Sequence, residues 1–312
     1  NKLESKGMTP SNLEEKEILI RRAYFDIIGL PPSLDEIDNF ISDKSENAYE
    51  KVIDKLDIFP SMNFIYSLKE NSNLRLSYSK TTARPSFKEV SIAEIYDPLS
   101  NMTFNGNINL KPSYIDNLDL RYELFGEDNE LFAISGFYKS FKDPIELTYY
   151  EASTENFQPK NLGNAKVYGL ELELRKQISQ SLGINLNASI IESRQQYGSS
   201  ELSLRTKGLR DGESLGTYRN LQGQSPFLIN SSLDYKNENG LRAGLFFNMQ
   251  GKTLEVVGTG FAPDVYTQPY ESLNLNMSKS YGKNQNKTVT IKVENILAVS
   301  YTHLTLPTIL LV

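Results

Sequence analysis

Between Asp57 and Leu297, apolar and polar residues alternate with a period of two in run after run, and the connections between runs are short and long by turns. Together these two regularities limit the fold more than any other feature of the chain. Leu118, Leu120, Tyr122 and Leu124 fall on one face of an extended strand, with Asp119, Arg121 and Glu123 on the other. The pattern returns with Tyr168, Leu170, Leu172 and Leu174 against Gly169, Glu171, Glu173 and Arg175. It returns again with Ile184, Leu186, Ala188 and Ile190 against Asn185, Asn187 and Ser189. Ten such runs are predicted, near 61–68, 73–80, 114–125, 130–141, 166–177, 183–195, 226–236, 240–250, 269–280 and 286–297.

Alternation alone suits a soluble β-sandwich as well as a membrane barrel. The connections separate the two. Short turns fall at 70–73, 126–129, 179–183, 237–240 and 282–286, and long segments at 81–113, 142–165, 196–225 and 251–268. Tight periplasmic turns alternating with long extracellular loops are the habit of outer-membrane barrels. In lipid every backbone amide must be paired, which a closed sheet of strands achieves. The expected fold is therefore an all-β antiparallel transmembrane barrel fragment of about ten strands, open at both edges, preceded by a truncated three-helix α segment.

That α segment has a different period. Ile20, Ala23, Tyr24, Ile27 and Ile28 recur at helical spacing, with Gly29 as a C-cap and Pro31-Pro32 barring continuation. Ser33 followed by Glu36 makes a capping box for a second helix through Ile37, Phe40 and Ile41, and Ala48, Tyr49, Val52, Ile53 and Leu56 mark a third. A module this small holds little core by itself.

Composition removes most chemistry. There is no cysteine, which excludes disulfides, thiolate metal sites and CxxCH haem attachment. The one histidine, His303, lies in an apolar tail, and with it set aside no histidine base, nucleophile triad or histidine-ligated zinc remains. A net charge of -6 argues against a nucleic-acid partner. Carboxylates share strand faces, Glu171 with Glu173 and Asp119 with Glu123, but Arg121, Arg175 and Arg242 are interleaved with them. They are read as a salt-bridged lumen wall. No enzyme, cofactor or metal site is expected, and the Gly-rich span at 256–261 lacks a phosphate-loop pattern and is read as loop.

Two resemblances add to this reading. LIRRAYFDIIGLPPSLDEIDNF with NAYEKVIDKL resembles the start of the planctomycete-type cytochrome-associated domain of unknown function, over Asn1 to about Leu56. Where that family continues with SPHYGERW, this chain reads DIFPSMNFIYSL. From there on, NLRLSYSKTTARPSFKEVS, LFAISGFYKSFKDPIE, NLGNAKVYGLELELRK, LQGQSPFLINSSLDY and IKVENIL resemble TonB-dependent outer-membrane receptor barrels. The resemblance implies that the ten runs are the twelfth to twenty-first strands of a barrel of about twenty-two. It also implies a Gram-negative outer-membrane location, contact with outer-membrane lipid, and energised import of a nutrient ligand through TonB, the plug and TonB box lying upstream. In such receptors the loops grip the ligand. Arg84 in TARPSF and Gln222 and Gln224 in LQGQSPF are the loop-base candidates for ligand contact, read first as barrel architecture.

The tail, VSYTHLTLPT at Val299 to Thr308, resembles a translated sequencing adapter. The expected division is 1–56, 57–298 and 299–312, with the join near Leu56 an assembly chimera. A passive barrel or adhesin, or a cytochrome-associated surface role for the helical segment, stands as the alternative function.

Overall fold

The computed structural model describes residues 15–28, 31–55, 59–98, 101–150, 153, 155–259 and 262–297. Gly29, Leu56 and the tail from Val299 to Thr308, on which expectations were set above, lie outside them. The chain divides into two compact units, Asn1–Phe59 and Pro60–Val312.

The first unit contains α1 (Lys16–Ile28), α2 (Leu34–Ser42) and α3 (Ala48–Lys55). Its core is Ile20, Ala23, Tyr24, Ile37, Phe40, Ala48 and Val52, the helical stripes read from spacing. Ile27, Ile41 and Tyr49 depart from that reading and are exposed. The capping box forms as expected: the Glu36 amide donates to Ser33 Oγ at 3.3 Å, and the Ser33 amide donates to the Glu36 carboxylate at 2.8 Å. Lys16 Nζ donates to the Phe40 carbonyl at 3.2 Å and to the Asp43 carbonyl, placing a cation at the negative end of α2.

Burial, followed by a hydrogen bond to Glu36, pushes the Tyr24 phenol up to about 12 from 10.0. A phenol raised on folding contributes stability that is complete below the unfolded value and is lost as pH climbs through the folded one. The helical part of the far-ultraviolet circular dichroism is therefore expected to weaken between about pH 10 and 12. Tyr24→Phe should remove the contribution of this residue to that loss.

In the second unit the chain runs as paired hairpins separated by folded connections. β1 (Ser61–Lys69) and β2 (Ser72–Ala83) are followed by α4 (Phe87–Val90), β3 (Glu94–Asp97) and β4 (Met102–Asn105). The next hairpin is β5 (Ser113–Phe125) and β6 (Leu131–Lys142), followed by β7 (Ile145–Tyr149) and β8 (Asn156–Asn161). Then come β9 (Asn164–Ser179) and β10 (Leu182–Gln196), with α5 (Ser199–Lys207) and β11 (Tyr218–Arg219) after them. β12 (Phe227–Lys236) and β13 (Leu241–Gln250) precede β14 (Thr253–Val256) and β15 (Val265–Thr267), and β16 (Tyr270–Tyr281) and β17 (Lys287–Val293) end the sheet.

The main sheet has the order β1-β2-β5-β6-β9-β10-β12-β13-β16-β17, every neighbour antiparallel, with β11 added beside β10. These ten strands are the ten runs of alternation. β1 and β17 are its edges, so the sheet is not closed.

Register aligns outward side chains in rows across the strands. Leu76, Leu120, Gly136, Leu170 and Ile190 stand opposite one another in turn. Leu170 is 59 % exposed and Ile190 73 %, so this apolar face is left uncovered by the described residues. A continuous uncovered apolar surface marks a membrane or partner contact. Its height fits a membrane. The ten steps from Leu182 to Glu192 span about 33 Å along the strand at ~3.3 Å each. A strand tilt of about 40° reduces that to about 25 Å, the height of the apolar band in outer-membrane barrels. Tyrosines stand at both ends of the band: Tyr78, Tyr138 and Tyr168 toward the long connections, Tyr235 and Tyr281 toward the turns.

Candidate ligand-binding cap and polar wall

On the opposite face the strands carry charge. Register sets Arg75 directly across from Arg121, a like-charge pair that is unfavourable unless an acid lies between them. Glu123 is that acid, bonded to Arg75 at 3.2 Å and to Arg121 at 2.8 Å. Arg121 reaches on to Glu173 at 2.7 Å, and Arg175 closes the series on Glu173 at 3.1 Å. The wall of alternating charges expected from the sequence thus forms, and Glu123 and Glu173, two of the carboxylates considered above, are both held by arginine.

The Arg121–Glu173 pair spans from β5 to β9 across the intervening β6, over Ala133 and Ser135. Ala133 is 0 % exposed because those side chains lie over it. Ala133→Leu should therefore displace the bridge and cost about 1–3 kcal/mol of overpacking. Urea unfolding of the sheet measures it, and an unchanged midpoint would contradict the arrangement. Beyond this ladder, the polar face is hollowed into a cleft of about 710 Å³ lined by Arg175, Asn185, Asp234, Arg242, Asn276 and Lys292 among others.

The long connections are not simple loops, and at Val256 and Val257 this corrects the reading of 256–261 as loop. β4 pairs with β8 in parallel, giving a second sheet of order β3-β4-β8-β7, and β14 pairs with β15. Val256 ends β14 and is buried, while Val257 makes a bridge to Thr148 of β7; residues 260–261 lie outside the described ones. Met102, Tyr149, Phe157, Val256 and Ala262, drawn from three separate connections, make one apolar core, with Leu147 and Val265 against it.

Buried ion pairs fasten this cap. Arg219 grips Glu146 with both terminal nitrogens, at 2.8 and 2.7 Å, and turns its Nε to Glu201 at 2.8 Å. Arg205 bonds Glu201 at 3.0 Å and takes Asp264 with both terminal nitrogens at 3.2 and 2.7 Å. Glu146 belongs to β7, Glu201 and Arg205 to α5, Arg219 to β11, and Asp264 to the segment before β15. One network therefore joins the connections 142–165, 196–225 and 251–268. Burial alone would lower the Arg219 pKa, but the hydrogen bond and charge of Glu146, and then Glu201, hold it above the ordinary arginine range. Burial also raises the Tyr149 and Tyr266 phenols, with the charge of Asp264 adding to it.

Of the sequence candidates, Gln222 stands inside the cap. Its amide accepts from the Leu147 backbone at 2.5 Å and donates to the Glu255 carbonyl, and its own backbone N–H donates to Glu146 at 2.9 Å. It stitches β7 to β14. Among the described residues Gln224 bonds locally, its side-chain amide to the Ser225 carbonyl at 3.0 Å and its backbone N–H to the Leu221 carbonyl at 3.3 Å. Arg84 follows β2 half-buried, and the structure does not join it to either glutamine. The charged cap residues were missed because Glu146 and Arg219 are 73 residues apart and nothing local marks them as partners.

The fold is that of solved outer-membrane receptors. A mutant of the ferric enterobactin receptor of Pseudomonas aeruginosa superposes with a TM-score of 0.51 at 18 % identity, covering 77 % of this chain and 34 % of the receptor. The siderophore receptor PirA of the same organism gives 0.52 at 16 %, covering 76 % and 38 %. The copper transporter OprC gives 0.53 at 17 %, covering 76 % and 33 %. The chain thus spans 33–38 % of the length of these proteins. No curated protein matches it in sequence. A family described as protein of unknown function (DUF1549) matches residues 1–60, in line with the resemblance read from the helical segment. The outer membrane protein beta-barrel family matches residues 37–306. With its uncovered apolar band, its polar inner wall and that match over most of its length, the chain belongs to the outer membrane protein β-barrel family and lies in the outer membrane.

Proposed function

We propose that the sheet is part of the wall of a TonB-dependent transporter, and that the folded cap takes part in capturing the imported ligand before it enters the lumen. The observation that carries this is the cap at one end of the strands: one buried ion network joins the connections 142–165, 196–225 and 251–268, and one apolar core joins 81–113 to the first and last of them. Loops that only linked strands would need no such internal structure. The similar solved proteins are described as receptors for ferric enterobactin and other siderophores, and as a copper transporter. A scarce metal chelate is the first ligand class to test.

The open edges β1 and β17 each present a row of unpaired amides that lipid cannot satisfy. In this reading further strands complete the barrel, and the polar cleft faces a plug. The wall carboxylates are structural, with no catalytic role.

Uptake by cells carrying the complete reading frame is the test. Import of a limiting metal chelate should fall to background when a protonophore collapses the inner-membrane potential, and should fall likewise when the cap is broken by Arg219→Ala. Uptake indifferent to the protonophore would favour a passive barrel, and surface adhesion without uptake would favour an adhesin.

A further inference from the structure

We infer that the free edge of β3 is a docking site for an extended segment of a second protein, apolar at alternate positions and basic at its ends. β3 has β4 on one side and no strand on the other among the described residues, so its outer edge is a template for a further strand. The apolar layer of the cap runs out at that edge. Register sets Ile95 of β3, Phe104 of β4, Phe157 of β8 and Tyr149 of β7 in one row across the sheet. Tyr149, Phe157 and Phe104 are buried, the last beneath Lys88, whose Nζ lies 4.5 Å from the ring centre, and Ile95 is 41 % exposed. One more strand would finish the row.

Exposed apolar surface is concentrated on the same connection. Between β2 and β5 the chain leaves Phe87, Ile92, Ile95, Tyr96 and Ile108 exposed, whereas the described residues of 142–165 and 251–268 expose no large apolar side chain. Those two connections are tied into the buried ion network. The connection 81–113 joins the cap by other means: the pairing of β4 with β8, a bond from the Asn107 amide to the Pro159 carbonyl at 3.0 Å, and Met102 in the core. An apolar surface of this kind beside an open strand edge fits a protein partner.

Charge selects the occupant. β3 begins with Glu94 and ends with Asp97, and Lys88 is engaged over Phe104. Glu94 accepts from the Asn105 amide at 3.4 Å and forms no ion pair among the described residues. A second copy paired through the same edge would bring four carboxylates to one seam, and like charges at that range are unfavourable. A strand with lysine or arginine flanking its apolar positions meets those acids with opposite charge. It also supplies the backbone pairing that a lipid tail or a small chelate cannot. Tyr96 lies on the other face of β3, its hydroxyl donating to Asn101 Oδ1 at 2.9 Å, and gives such a strand a second side-chain contact.

Binding of a fluorescent synthetic peptide of alternating valine and threonine, with a lysine at each end, to the whole chain folded in lipid vesicles tests the edge. Ile95→Ser is expected to weaken it about tenfold, the loss of one buried aliphatic contact. Glu94→Gln should weaken it severalfold, and glutamate in place of both peptide lysines at least as much. The same peptide N-methylated at every second backbone nitrogen, in either phase, keeps its side chains and charge but cannot pair, and should not bind. Equal binding of the methylated peptide, or Ile95→Ser binding as tightly as the unaltered chain, would overturn the proposal. So would either rival occupant. A second copy would show as self-association that the peptide reverses and Ile95→Ser abolishes. Strands of the parent would show as a peptide bound by this chain and refused by the complete reading frame.

Discussion

Arg219→Ala is expected to unfold the extracellular cap while leaving the ten-strand sheet in place. Arg219 is 4 % exposed and its principal partner Glu146 1 %. Truncating the arginine leaves that carboxylate uncompensated where water does not reach, and leaves Glu201 with Arg205 as its one remaining ion-pair partner among the described residues. Breaking a buried pair from one side costs about 3–5 kcal/mol. The cap has little to set against such a loss, since its strands are three to six residues long apart from the two-residue β11. The sheet below is held by long ladders of its own. Hydrogen exchange should therefore accelerate across 145–161, 199–219 and 253–267 and stay slow in β9 and β10. Arg219→Lys keeps the charge but not the two-pronged grip, and should fall between the two. Replacing both partners, Arg219→Leu with Glu146→Leu, should recover much of the loss, because an apolar pair needs no compensation. Cap exchange unchanged in Arg219→Ala would show that the pair is ornamental.

Arginine placed on the apolar face should cost according to depth. Leu172 stands in the row of Ile134 and Ala188, near the middle of the band, and Leu170 one row nearer the tyrosines. Leu172→Arg is expected to reduce the folding free energy into lipid vesicles by about 2–4 kcal/mol, and an arginine at the tyrosine row by no more than about 1 kcal/mol. Leu170→Arg should fall between. In a water-soluble sheet the same exposed Leu170 would accept arginine at almost no cost. Equal, small effects at all three depths would remove the membrane from the explanation.

How far the chain can be read without its structure depends on how local each signal is. The ten wall strands were legible because period-two alternation is written within each strand and the neighbouring strands are consecutive along the chain, as with Leu170 and Ile190. The inner wall was legible for the same reason: Arg121, Glu123 and Glu173 fall on the polar face by parity alone. The cap was not legible. β4 finds its parallel partner β8 only after two wall strands have intervened, and β7 and β14 each show too few residues for a period to appear. Its ion network draws Glu146, Glu201, Arg219 and Asp264 from three connections, with no pattern to unite them before folding. Gln222 was singled out by its sequence string, and the structure gives it a connecting task within the cap. Arg84 and Gln224 are not drawn into that task. In the helical unit, spacing marked the core but overran it at Ile27, in the last turn of α1, which is longer than either helix it packs on.

The central claim, that one face of this sheet meets lipid and the other water, is open to a direct measurement because the chain has no cysteine of its own. Single cysteines along β9, with the chain in lipid vesicles, report each side chain separately. Leu170→Cys, Leu172→Cys and Leu174→Cys, carrying a fluorophore, should be quenched by brominated acyl chains and resist a water-soluble thiol reagent. Glu171→Cys and Arg175→Cys should show the reverse, so that the two readouts alternate residue by residue. Uniform reaction of all five with the water-soluble reagent, without quenching by the brominated lipid, would contradict a membrane wall.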